Sequence, residues 1–312
     1  MTRRLAIGVD VGGSHVSCAA CSLEEKRYLP EIQSENELDN HSSADEIISV
    51  WGRTIEEAIQ KSGSAEITGI GFAMPGPFDY ANGIAWFNND VKKYENLYGL
   101  NVVEALRKKM NLPENFPVRF INDAMAFAIA EDWIGKSAGT ERSLAITLGT
   151  GFGSAFMRNH LPVVSGNNVP TKGYVYHLPF ETGNADDYFS TRGLLSRYQQ
   201  KTGQSLFGVK ELALMCPNNQ VAQSLFDDFG YKLGFFLKPW IEKFGVEVLV
   251  IGGNISNAFG FFGNNLKSYL EENGIHIRIE ISELKETASM IGSAVLTDDK
   301  YYLQLQPILI QI

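Results

Sequence analysis

Cysteine is scarce in this sequence. Cys18, Cys21 and Cys216 are the three in 312 residues, too few for a disulfide framework. Cys18 and Cys21 form a C-x-x-C, but both follow Val16 in an apolar, alternating run. That context reads as small residues in a strand rather than a redox or metal pair. Long apolar runs are missing as well: no stretch approaches the roughly 20 residues needed to cross a bilayer. The apolar start Leu5–Val9 is cut by Asp10 before it reaches signal-peptide length. The expected location is therefore the cytoplasm, with no membrane partner. Basic residues are outnumbered, 27 Lys and Arg against 36 Asp and Glu, for a net charge of -9. With no run of them forming a stripe, nucleic acid is not expected as a partner. No H-E-x-x-H occurs, and hydrolase chemistry finds no anchor.

What is present fits a globular chain: 44% hydrophobic and 20% charged residues, in a length that suits two domains rather than one core. Leu5–Asp10 reads as a buried strand, Gly12-Gly13 as a tight turn, and His15–Cys21 as a second strand. A Walker or Rossmann loop would open into a helix instead. The same strand–glycine turn–strand device recurs at Ser143–Leu148, Gly149–Gly153 and Ser154–Met157, which suggests an internal repeat with one copy per domain. Ile47, Ile48, Trp51, Ile55 and Ile59 fall on one face of a helix over about Ser43–Gln60. Ile67–Ala73 is a strand, Pro75-Gly76-Pro77 a rigid turn, and Asn82-Gly83 a hairpin signal. Val118–Ile121 is a short strand, after which Asn122-Asp123 caps a helix reaching about Trp133. Helices are expected over Asp186–Gln199, over Val221–Phe244 with Pro239 as a kink candidate, and over Lys285–Leu296. Val246–Ile251 is a buried strand. The tail Tyr301–Ile312 alternates around Leu303-Gln304-Leu305-Gln306 and takes no assignment. Alternating strands and helices make the class α/β.

Phosphoryl transfer needs a phosphate cradle, a divalent cation, a held acceptor and a base, and the sequence offers a candidate for each. In Asp10-Val11-Gly12-Gly13-Ser14, glycines let backbone N–H groups approach phosphate oxygens and Ser14 adds a hydroxyl. Asp10 can hold hydrated Mg²⁺ through its water shell. Gly149-Thr150-Gly151-Phe152-Gly153 is a second cradle. Either alone could be an ordinary hairpin; two of them facing a cleft could hold a triphosphate. Asp123, at a helix start where the macrodipole favours a carboxylate, can accept the proton of an attacking hydroxyl, while Asn122 can fix another hydroxyl. Taken alone, Asn122-Asp123 reads as a plain N-cap. Gly252-Gly253-Asn254 closes an apolar strand and can lie against adenosine.

These motifs, in this order, resemble the ROK family (repressor, open reading frame, kinase) of the hexokinase–actin superfold. The resemblance runs from Ile7 to about Leu296. It adds Gly71–Asp79 as the family's middle motif and Glu131 at the expected distance after Asn122-Asp123-Ala124. It implies a two-domain actin/hexokinase-like (ribonuclease H-like) fold with a cleft between the domains. Apart from the resemblance, the order of elements puts the domain boundary near residues 121–134, dividing the chain into residues 1–121 and 122–296, with 297–312 as a tail that could pack back on the first. The resemblance also implies ATP and Mg²⁺ as cofactors, a hexose or hexose derivative as substrate, and a homodimer. The sugar motifs depart from the family. Its Glu-x-Gly-His aligns with Tyr174-Val175-Tyr176-His177, keeping only the histidine, and Asp186 stands where a second Glu is usual. An upstream asparagine that contacts sugar corresponds to Asn88 or Asn89, with Asn89 preferred. Many members carry a zinc-binding cysteine cluster after the histidine. Leu178–Ala185 has no cysteine, so no zinc is expected. The first phosphate motif begins almost at the start of the sequence, so the helix-turn-helix of the family's repressors, and direct DNA recognition with it, is not expected. Two readings follow: an ATP-dependent sugar kinase with Asp123 as base, or a sugar-binding sensor that has lost turnover, for which Tyr174 and Tyr176 are the motive.

Overall fold

The computed structural model describes residues 2–88 and 93–312. They form two compact units, residues 1–134 with 286–312, and residues 135–285.

The first unit is built on a five-stranded sheet of β1 (Arg4–Val11), β2 (His15–Ser22), β3 (Arg27–Glu37), β4 (Glu66–Met74) and β5 (Val118–Asn122), in the order β3-β2-β1-β4-β5. β1, β2 and β3 are antiparallel neighbours, whereas β4 and β5 run parallel to β1. Cys18 and Cys21 are buried in β2. Burial pushes the Cys21 thiol up to about 12, which makes it inert, as their strand setting suggests. Helix α1 (Ala44–Lys61) buries Ile47, Ile48, Trp51 and Ile55, and Ser43 caps its Glu46 N–H. Helix α2 (Asp123–Trp133) follows β5 directly, with Asn122 as its N-cap.

The second unit repeats this plan. β6 (Arg142–Leu148), β7 (Phe152–Arg158), β8 (Leu161–Val163), β9 (Val248–Gly252) and β10 (Arg278–Ile281) take the order β8-β7-β6-β9-β10. Again three antiparallel strands are joined by two parallel ones. The repeat suggested by two glycine turns is thus a repeat of whole sheets. The core of this unit is rich in phenylalanine, with Phe152, Phe156, Phe189, Phe226, Phe229 and Phe262 buried. Helix α3 (Gln220–Phe244) continues unbroken through Pro239 and packs on α4 (Phe259–Glu272). The single helix expected over Asp186–Gln199 is two, Ala185–Phe189 and Thr191–Thr202. Extended Ser190 separates them and accepts the Gly193 N–H at 3.3 Å, as an N-cap does.

The chain then returns to the first unit. α5 (Ala288–Val295) lies against β1, β4 and α2. A Cβ on Gly292 would fall 1.8 Å from the Ala126 carbonyl oxygen, and one on Gly8 or Gly71 would meet the α5 backbone at 1.7 or 1.8 Å. Only hydrogen fits at these crossings, so three glycines far apart in sequence bring helix, sheet and α2 together. This packing sets the observed division. It runs to Ile134, not to Ile121, and it takes residues 286–296 as well as the tail. The tail itself is a helix, α6 (Asp299–Leu309). Its buried residues are Leu305 and Leu309, spaced by four, while Leu303 is exposed, so the alternation in the sequence is not a strand signal. No helix among the described residues is long and apolar enough to cross a membrane.

Candidate active site

In the first unit, parallel pairing delivers two aspartates to one edge of the sheet. Asp10 on β1 pairs with Ala73 on β4, and the next row pairs Met74 with Asn122 at the end of β5. Ligands of open α/β sheets gather at such carboxyl ends. Burial pushes the Asp10 carboxyl up to about 7, helped by the negative charges of Asp123 and Glu286. The glycine turn beyond it is tied down at its carbonyls. The buried Tyr94 hydroxyl donates to the Gly12 carbonyl, and the Asn40 amide to that of Gly13. The Ser14 hydroxyl lies 3.4 Å from His15 Nδ1.

Asp123 is the first residue of α2, and its side chain reaches solvent. Asn122 Oδ1 accepts from the N–H groups of Ala124 and Met125 at 3.1 and 3.4 Å. The Asn122 amide donates to Asp123 Oδ1 at 2.9 Å, and the Ala124 N–H donates to the same oxygen at 2.9 Å. Among the described residues no hydrogen bond reaches Oδ2. One oxygen is therefore held and the other is left to take a proton. Crowding by protein raises this carboxyl above its ordinary range, against the lowering pull of Ala124, Asn122 and Lys93. Lys93 and Glu286 carry no motif, and the sequence reading missed both.

In the second unit, two glycine turns share the carboxyl ends of β6 and β9, which pair Thr147 with Gly252. The Gly149 N–H donates to the Gly151 carbonyl at 3.0 Å, closing the turn around Thr150, and Gly153 follows on β7. Gly253 has a φ of +79°, and a Cβ there would lie 2.4 Å from the Leu148 carbonyl oxygen. A side chain would force the two turns apart. Asn254 opens the short helix that follows and stands beside Gly149.

Asp186 is bound to this region rather than left open. Its Oδ1 accepts the Phe152 N–H at 2.7 Å, its Oδ2 lies 3.2 Å from Arg192, and its own N–H donates to the Tyr176 carbonyl at 2.9 Å. It thus joins the second glycine turn to the segment carrying His177. That segment is anchored through Val175, whose N–H donates to the Ser154 hydroxyl at 3.0 Å. Tyr174, Tyr176 and His177 form an aromatic row with ring spacings of 5.9 and 5.2 Å. His177 is exposed and Tyr174 half-buried. Asn89 lies outside the described residues.

Two features limit other chemistries. Gly135-Lys136-Ser137-Ala138-Gly139 does spell G-x-S-x-G, against the expectation that hydrolase motifs find no anchor. It runs from a helix to a strand, the reverse of a nucleophile elbow, and Ser137 is 1% exposed. Among the described residues no three His, Cys, Asp or Glu side chains converge to ligate one ion. Asp10 feels the charges of Asp123 and Glu286, but the three form no such cage.

The sequence model of the ROK family matches residues 6–300. The chain belongs to the ROK family. A glucokinase from Thermotoga maritima is 24% identical, over 96% of this chain and 99% of the relative. A beta-glucoside kinase from Klebsiella pneumoniae is also 24% identical, over 91% and 93%. The ROK hexokinase of Thermus thermophilus has the same fold, with a TM-score of 0.76 at 21% identity, covering 96% of this chain and 98% of that one. The actin/hexokinase-like fold of this ROK chain is therefore the expected one.

Proposed function

We propose that Asp123 is the general base with which this chain, an ATP-dependent sugar kinase, activates a hydroxyl of a hexose or hexose derivative. The observation that carries the reading is the split of the Asp123 carboxylate, with Oδ1 held by Asn122 and Ala124 and Oδ2 unengaged among the described residues. Oδ2 takes the proton as the sugar oxygen bonds to the γ-phosphorus. The bond from that phosphorus to the β,γ-bridging oxygen breaks, and ADP leaves with its electron pair. Asp10, crowded by like charges, would be the residue that holds hydrated Mg²⁺. The cation neutralises charge on the phosphates when bound. The turns at Gly12, Gly13 and Ser14, and at Gly149, Thr150, Gly151 and Gly153, supply N–H groups and hydroxyls to phosphate oxygens. Gly252, Gly253 and Asn254 lie against adenosine.

Asn122 and His177 hold the sugar, Asp186 steadies the turn and the loop that meet it, and Tyr174 offers a ring face. Phosphorylation at the terminal hydroxymethyl group and assembly as a homodimer follow from the family resemblance, whereas a chain without zinc follows from a departure from it, the lack of cysteine in Leu178–Ala185. The test is ADP release across a panel of hexoses and derivatives, with the phosphorylated carbon of the product fixed by NMR. Turnover on the terminal hydroxymethyl of one sugar supports the reading. Sugar binding with no ADP release on any member would favour the sensor.

A further inference from the structure

The first glycine turn is held by a residue whose neighbour in sequence is a lysine. Tyr94 is wholly buried, with its ring 5.8 Å from that of Trp51 and 5.6 Å from that of Phe87. Its hydroxyl donates to the Gly12 carbonyl. Its N–H donates to the Asn40 carbonyl at 3.1 Å, and the Asn40 amide donates in turn to the Gly13 carbonyl. Residue 94 is thus fixed to the turn by its ring, its hydroxyl and its backbone, and residue 93 must stand over that turn.

Lys93 does so. Its Cε and Nζ both come within 3.5 Å of the point where Gly13 would carry a Cβ. The ammonium is near enough to Asp123 for its charge to draw that carboxyl down. The side chain is exposed, and among the described residues it forms no ion pair. A cation is therefore poised between a phosphate-type turn and the candidate base, in a region otherwise charged by Asp10, Asp123 and Glu286.

We infer that Lys93 is a catalytic residue that binds the terminal phosphoryl group of the nucleotide over the Gly13 turn. The transferring group spreads negative charge over three equatorial oxygens, and a fixed ammonium beside it offsets that charge where carboxylates would repel it. The inference rests on the kinase reading but can fail separately from it.

Two measurements test it. The first compares Lys93→Met and Lys93→Arg with wild type in steady-state turnover. The methionine variant should lose roughly 10²–10³-fold in kcat, as when one transition-state donor is removed. Its KM for the sugar should stay within about 3-fold, and arginine should restore part of the loss. The second uses wild type alone: amines are acetylated with and without inorganic tripolyphosphate and Mg²⁺, and Lys93 modification is read by mass spectrometry. Protection of at least about 10-fold is expected where an amine is held against an anion. Near-normal turnover of Lys93→Met overturns the inference and leaves the kinase reading intact. So does absence of protection, even with slow variants, because Lys93 then acts through Asp123 alone. If wild type turns over no sugar, the kinase reading falls. Protection then decides whether Lys93 binds phosphate.

Discussion

The same sheet occurs twice in this chain and carries different chemistry each time. In both units three antiparallel strands are followed by two parallel ones, and a glycine turn joins the first pair. Around the turn of the first unit stand Asp10, Asp123, Glu286 and Lys93. Around that of the second, the neighbours are another glycine turn, the bound carboxylate of Asp186 and the aromatic row ending at His177. Strand order decides where a site can form, and the side chains on that edge decide what it does. The first unit keeps carboxylates in a crowded setting, which costs stability. The second keeps glycines where backbones nearly touch.

The largest effect should come from Asp10. Asp10→Asn removes the proposed Mg²⁺ contact and should lower turnover by roughly 10²–10³-fold. Its effect on stability should have the opposite sign. With its pKa raised to about 7, folded Asp10 keeps a proton that the unfolded chain releases near its ordinary value. Stability contributed by this group therefore falls as pH rises from about 4 to about 7. In metal-free buffer the variant should match wild type in Tm near pH 4 and exceed it above pH 7. A Tm difference that is flat across this range would break the contrast between the units.

A smaller effect is expected at Tyr174. A neutral ring replaces the acceptor usual in the family motif, and a charge-assisted bond there is worth about 1.5–3 kcal/mol. Tyr174→Glu should therefore shift the kcat/KM ratio of glucose over the native substrate by about 10–100-fold toward glucose. The ring, 5.9 Å from Tyr176, would instead favour a sugar with an apolar face or a substituent. Wild-type preference for unmodified glucose would make Tyr174 a packing residue.

The smallest effect sharpens the comparison by two alanine substitutions. Gly292→Ala would place a Cβ 1.8 Å from the Ala126 carbonyl oxygen and should cost about 1–3 kcal/mol of stability by overpacking. Tm should fall by roughly 2–4 °C per kcal/mol, with KM for nucleotide unchanged. Gly253→Ala should raise the nucleotide KM, because the Leu148 and Gly253 turns must separate. Equal effects of both on nucleotide KM would show that the units do not divide the work as described.

Local features were legible in the sequence. The strands around Gly12 and Gly149, the Asn122 cap and the α1 stripe each depend on neighbours a few residues away. The pattern of Ile47, Trp51 and Ile55 alone places α1 within a residue of its observed bounds. Long-range packing was not legible. Nothing near Gly8, Gly71 or Gly292 shows that α5 will cross both β1 and α2, so the return of residues 286–296 to the first unit was missed, although the tail 297–312 was expected there. Lys93 was hidden for a related reason. A single lysine has no period, and its place is set by Tyr94 reaching Gly12 across 82 residues. Asp186 was read as a sugar contact from its place in a motif, yet its bonds to Phe152 and Arg192 depend on folding of the unit.

The central claim is that Asp123 moves the proton, and it is tested most directly by Asp123→Asn. Asparagine keeps the shape of the side chain and an oxygen that can accept from Asn122 and Ala124, but it is no base. The account predicts unchanged Tm to within a few degrees, sugar affinity by calorimetry within about 3-fold, and kcat lowered by about 10²-fold or more. A variant that binds sugar and turns over within about 10-fold of wild type would contradict it.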